Sequence, residues 1–167
     1  MLAVGLSPDQ AALMSKPLME IPEAVLESTL DSEPESGLAA REQRYRVLQL
    51  MRLDPRPGLR RAVADMCANY LDAPWEAAPL LAELANDPEP TVREAVVRSM
   101  VSLLTHISQL DQPTLLAEWG TSPKEEVRSA LAKALPFVPL GLGIPSARTL
   151  LAKDPSPEVS QAIVAST

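Results

Sequence analysis

Aromatic residues are scarce: two Trp, two Tyr and one Phe in 167 residues. Five rings cannot line a broad aromatic pocket or fill the core of a large β-sandwich. Cysteine occurs once, so no disulfide framework can form within the chain. Histidine also occurs once, and the common Cys/His zinc sites are thereby excluded. Glycine is low and shows no Gly-X-Y period, which excludes a collagen-like chain. No apolar run reaches the length of about 18 residues that a membrane-spanning helix needs. The opening segment Met1–Leu6 has no basic residue, and its apolar run stops at Ser7-Pro8, too short for a signal peptide. A cytoplasmic protein is the expectation.

What is present is apolar content of 46%, enough for a buried core in one domain or one compact array. Proline is abundant, at 17 residues, and its placement is periodic. Four stretches align: Asp54-Pro55-Arg56-Pro57 through Val63, Asp87-Pro88-Glu89-Pro90 through Val96, Ser122-Pro123-Lys124-Glu125 through Leu131, and Asp154-Pro155-Ser156-Pro157 through Ile163. Their second-position prolines are separated by 33, 35 and 32 residues, a period that belongs to repeat architectures.

Each motif position has a physical reading. A residue before proline is pushed out of the helical region, so the Asp or Ser ends one helix. Its side-chain oxygen is an acceptor at the entry to the next. Pro57, Pro90 and Pro157 suit a first helical turn, where the missing N–H has no intrahelical partner anyway. Glu125 replaces proline in the third motif and suits the positive end of a helix dipole. Apolar residues then recur at helical spacing: Val92, Ala95, Val96, Ser99, Met100 and Leu103, and likewise Val127, Ala130, Leu131, Ala134 and Leu135. The small residues Ala62, Ala95, Ala130 and Ala162 recur at one position, where they permit close helix approach. A second helix is predicted between motifs, opened by Asp72-Ala73-Pro74-Trp75, by Asp111-Gln112-Pro113 and by Ile144-Pro145-Ser146. Two helices per repeat of this length define an α-solenoid unit.

On these residues, Asp87, Pro88, Pro90, Val92, Arg93, Ala95 and Val96 above all, the chain resembles the HEAT-like repeat family. The likeness is to its short bacterial form, found in phycobilisome-lyase-type repeat proteins. The resemblance covers roughly residues 38–167. It implies an all-α fold, a right-handed α-solenoid of about four HEAT-like repeats. It implies little about function, because such repeats serve unrelated roles. Ser122 stands where the other motifs have aspartate, and Ser160 where they have arginine, so an Asp–Arg ladder along the stack is expected to be incomplete.

The ends differ from the middle. Residues 1–37 do not fit the repeat. Short helices are predicted over 8–14 and 22–30, followed by an acidic linker at 31–37. Residues 38–53 read as one helix, with Leu38, Tyr45, Val47, Leu48, Met51 and Leu53 as candidate core positions. The last helix carries Val159, Ala162, Ile163 and Val164 with nothing following to cover them. Either its apolar side is used up against the third repeat, or the C-terminal repeat is a self-association surface.

Charge is uneven within a net of −7. Residues 1–40 hold seven acids against one lysine, and residues 41–61 hold seven arginines against two acids. The arginines read as a solvated face, as a site for an acidic partner (another protein or the chain's own acidic arm), or as a phosphate contact. The overall acidity and the lack of stacking aromatics weigh against nucleic acid.

Chemistry is sparse. His106, at a helix end, and Cys67, within a helix, read as structural residues. Gly141-Leu142-Gly143 lacks the rest of a phosphate loop and reads as a bend between helices. Glu125 and Glu126 are adjacent, a spacing that does not place a catalytic pair on one helix face. Trp75 and Trp119 fall in the second helices, as core residues or as binding anchors. No catalytic, cofactor-binding or metal-ligating residue is nominated. The reading is a non-catalytic adaptor or scaffold whose partner is a protein with an acidic surface. Arg52, Arg56, Arg60, Arg61 and Trp75 are its candidate contacts. A cofactor chaperone or lyase-type enzyme subunit is the first alternative, and a nucleic-acid module like the DNA-alkylation repeat proteins the second.

Overall fold

The computed structural model describes residues 38–70 and 73–165. The acidic arm, with its helices predicted over 8–14 and 22–30 and the linker at 31–37, lies outside the described residues. All regular structure among the described residues is helical: α1 Leu38–Met51, α2 Pro57–Cys67, α3 Pro74–Leu84, α4 Pro90–His106, α5 Gln112–Gly120, α6 Glu125–Ala134, α7 Ile144–Leu151 and α8 Pro157–Val164. A 3₁₀ turn, Leu135–Phe137, extends α6. None of these helices is long and apolar enough to cross a membrane.

The chain divides into two compact units, Met1–Val63 and Ala64–Thr167. In the first, α1 stops at Met51, two residues short of the range expected from sequence. The Asp54 turn follows at once, so Leu53 is 72% exposed and not a core residue. Val47, Leu48, Met51, Leu59 and Val63 are buried.

In the second unit the helices form two layers. The motif helices α4, α6 and α8 pack side by side, and the intervening helices α3, α5 and α7 make the other layer. Each intervening helix also packs on the motif helix that follows it. Short connections between such partners make them antiparallel. All members of one layer therefore point the same way. The apolar stripe read from sequence is the core: Val92, Ala95, Val96, Met100 and Leu103 of α4, with Val127, Leu131 and Ala134 of α6, are all buried. Ser99 interrupts that stripe without cost, because its hydroxyl donates to the Ala64 carbonyl of the preceding motif helix at 2.7 Å.

The last helix uses part of its apolar side internally. Val159 and Ile163 of α8 are buried, and α8 packs on α6 and α7. That part is covered within the unit, whereas Val164 is strongly exposed. Cys67 is fully buried, and desolvation pushes its thiol up to about 12. The thiolate is the reactive form, so Cys67 is expected to resist a thiol reagent at mildly alkaline pH until the protein unfolds. Labelling with and without denaturant checks this, and rapid labelling of the native chain would contradict it.

Candidate functional site

The motif turns engage four of the arginines, Arg56, Arg60, Arg93 and Arg128. The aspartate of each turn accepts from the backbone N–H two residues on: Arg56 N to Asp54 Oδ1 at 2.8 Å, Glu89 N to Asp87 at 2.9 Å and Ser156 N to Asp154 at 2.9 Å. Ser122 does the same more weakly, its hydroxyl receiving the Lys124 N–H at 3.3 Å. The acceptor thus holds the backbone N–H of the N-cap residue itself and lies two residues before it. Six residues past each of the first three capping residues, an arginine reaches back to the turn's carbonyls. Arg60 donates to Asp54 O at 2.7 Å, Arg93 to Asp87 O at 2.6 Å and Arg128 to Ser122 O at 2.7 Å. Arg128 also grips the next repeat, with Nε 2.6 Å and Nη2 3.2 Å from the two oxygens of Asp154. That hydrogen bond from Arg128 is the main cause holding the Asp154 carboxyl below its ordinary value.

The sequence-nominated contacts separate on this basis. Arg56 donates Nε and Nη2 to the two oxygens of Asp54, both at 2.9 Å, and chiefly through this bond lowers the Asp54 pKa. Arg60 is turned onto its own motif's carbonyls. Arg52 donates to the Gln49 carbonyl. Arg61 is exposed and has no hydrogen bond or ion pair among the described residues. Trp75, in the second unit, is 59% exposed, whereas Trp119 is fully buried. His106 Nδ1 lies 2.9 Å from the Ser102 carbonyl, a helix-end hydrogen bond as expected. No group of three or more His, Cys, Asp or Glu among the described residues is placed to hold a metal ion.

A feature not nominated from sequence is an apolar edge on the second unit. Leu110 is 85% exposed, Phe137 73%, Leu140 82% and Leu142 54%. Leu110 precedes α5, and the other three lie between α6 and α7. Since the intervening helices run parallel, the starts of α3, α5 and α7 share one edge of their layer, and Trp75 is the second residue of α3. Backbone approach at Gly141 and Gly143 seats the loop there. A Cβ at Gly141 would fall 2.5 Å from Gln112 Oε1, and one at Gly143 would fall 3.2 Å from Pro113 Cα. Gly143 has φ of +86°, which side-chain-bearing residues rarely adopt. Gly143→Ala is therefore expected to cost at least about 1–2 kcal/mol, read as a lower denaturation midpoint; an unchanged midpoint would mean the loop is not held this way.

Comparison with known proteins decides the family. The model for HEAT repeats matches residues 46–136, more than half of the chain. The chain belongs to the HEAT-repeat family. Its fold is accordingly an all-α solenoid of HEAT repeats, as the motif spacing predicted. A solved structure similar to it is that of YibA from Escherichia coli, with 18% identity and a TM-score of 0.43. The match covers 96% of this chain and 62% of YibA, so the chain spans less than two thirds of that protein's length. No curated protein matches.

The HEAT motif helices carry a second surface feature, an open groove of about 870 Å³ along α4, α6 and α8. Arg93, Glu94, Glu126, Lys133 and Glu158 line it. Lys133 pairs with Glu158 at 2.9 Å, and Ser129 donates to the same carboxylate at 2.9 Å; these two bonds are the leading causes that lower the Glu158 pKa. The groove's acids outnumber its bases.

Proposed function

We propose that this HEAT-repeat chain is a non-catalytic adaptor or scaffold of a bacterial cytoplasm that holds another protein on its surface. The observation that carries the reading is the exposure of Trp75, Leu110, Phe137, Leu140 and Leu142, from whose places near the starts of α3, α5 and α7 we infer one apolar edge. Exposed apolar side chains scattered singly need no explanation, but several aligned on one edge mark an interaction surface. Trp supplies the kind of large, rigid anchor on which binding energy concentrates. The complementary partner segment is apolar at its centre. The arginine-rich first unit offers a separate contact for an acidic surface on the same partner, through Arg61 and Arg52. Arg56 and Arg60 contribute less to it, because their guanidinium groups serve their own turn.

The test is affinity capture from the source organism after nuclease treatment, comparing the wild-type chain with a Leu110→Ser, Phe137→Ser, Leu140→Ser variant. A stoichiometric protein retained by the wild type is expected to be lost from the variant, with binding weakened at least about thirtyfold, while both proteins melt cooperatively. Equal retention by both would remove the edge from the reading. A coloured or cofactor-loaded client would instead support a cofactor chaperone, and a second copy of the chain would redirect attention to self-association.

A further inference from the structure

Within the second unit, the arginine of the HEAT motif makes a direct ion pair with a carboxylate at one junction, whereas at the one before it Arg93 has only a longer-range attraction to Glu158 across the groove. Arg128 holds the turn of its own repeat through Nη1 and places Nε and Nη2 on Asp154 of the next. Arg93 is fixed in the same way, its Nη1 2.6 Å from the Asp87 carbonyl and 2.8 Å from that of Pro88. By repeat equivalence its Nε and Nη2 edge faces the third motif, whose capping residue is Ser122. Serine conserves the turn, since its hydroxyl accepts the Lys124 N–H. It supplies no second oxygen and no charge. Arg93 accordingly has no ion pair among the described residues, is exposed and borders the groove.

We propose that this vacant position receives a carboxylate from a partner protein, an aspartate or glutamate side chain that completes the ladder from outside. The guanidinium is already oriented by two carbonyls, so a bidentate ion pair forms with little further loss of freedom. The groove adds a second requirement. Glu94 and Glu126 line it and have no hydrogen bond or ion pair among the described residues, whereas Lys133 and Glu158 neutralise one another. A lone anion is opposed by this surplus of negative charge. The occupant is therefore a segment that presents an acid to Arg93 and a lysine or arginine a few residues away to Glu94 and Glu126. This deepens the scaffold reading and rests on it, but through residues separate from the apolar edge.

The experiment follows the Arg93 side-chain Nε–H resonance by NMR in the full chain. The probe is a capped tetrapeptide with aspartate first, two glycines and lysine last. Wild type is expected to give a saturable shift. Replacing the peptide's aspartate by asparagine, or its lysine by glutamine, should weaken binding at least about tenfold. Ser122→Asp restores the residue found in the other three motifs and fills the position internally; it is expected to move the Arg93 resonance by itself and to abolish the peptide response. No saturable shift in wild type, or equal responses to the aspartate and asparagine peptides, would overturn the proposal. So would an unchanged response in Ser122→Asp. Because the readout is local to Arg93, failure here leaves capture through the apolar edge as an independent result.

Discussion

Asp154→Ala is expected to remove about 3–5 kcal/mol of folding stability, the cost of leaving one member of a buried ion pair without its partner. The Arg128 and Asp154 side chains are only 14% and 5% exposed, and Asp154 accepts two guanidinium N–H groups and the Ser156 N–H. Without the carboxylate, Arg128 stays largely buried and the turn before α8 loses its cap. Against a usual domain stability of roughly 5–15 kcal/mol, a loss of this size is a large fraction of the total. The exposed pair between Arg98 and Asp65, at 3.0 Å with both side chains about half exposed, provides the contrast. Breaking it by Asp65→Ala should cost less than about 1 kcal/mol. Denaturant titration of both variants measures the difference.

The same pair has a signed pH dependence. The folded-state pKa of Asp154 lies below the ordinary value of 3.8, chiefly because Arg128 donates to it. A depressed carboxylate contributes stability that is fully present above the ordinary value and is lost as pH falls through the folded one. The gap in stability between wild type and Asp154→Asn is thus expected to be constant near neutrality and to shrink at pH below 3.8. A gap that widens on acidification would contradict the assignment.

Trp119→Ala carries the second large effect, about 3–5 kcal/mol for removing a fully buried indole. Trp119 is 1% exposed in α5, which packs against α3, α6 and α7, so its loss opens a cavity where both layers of the second unit meet. Its Nε1 is buried and has no hydrogen-bond partner among the described residues. Trp119→Phe removes that unsatisfied donor together with part of the volume. Relief of a penalty of about 1–3 kcal/mol offsets the smaller cavity, and the phenylalanine variant should retain most of the stability that alanine loses. Trp75→Ala, at an exposed position, should fall within about 0.5 kcal/mol of wild type. Melting curves of the three variants order these effects.

The contrast between the two tryptophans indicates what was legible in the sequence. Helix positions were, because proline and aspartate act on the backbone locally. The opening stretches expected at 72–75, 111–113 and 144–146 contain the observed first residues of α3, α5 and α7, Pro74, Gln112 and Ile144. The core stripe of α4 and α6 was legible for the same reason, being a matter of spacing along one helix. The arginines were harder. Seven of them in 21 residues read as a surface, yet Arg56 is taken up by an aspartate only two positions away, a pairing that depends on how the turn folds rather than on composition. The apolar edge was hidden because Trp75, Leu110, Phe137, Leu140 and Leu142 share no sequence period; only the parallel stacking of α3, α5 and α7 assembles them. One signal was available. The run Phe137-Val138-Pro139-Leu140-Gly141-Leu142 is apolar although it lies between helices, where polar residues are usual.

A partner protein seated on the apolar edge would cover Trp75. Acrylamide quenching of Trp75 in a Trp119→Phe background, with and without the captured partner, reads that cover. The free chain should be strongly quenched, as expected for an indole that is 59% exposed, and the complex should be protected with blue-shifted emission. Equal quenching of Trp75 in the free chain and in a stoichiometric complex would place the partner elsewhere and contradict this seating.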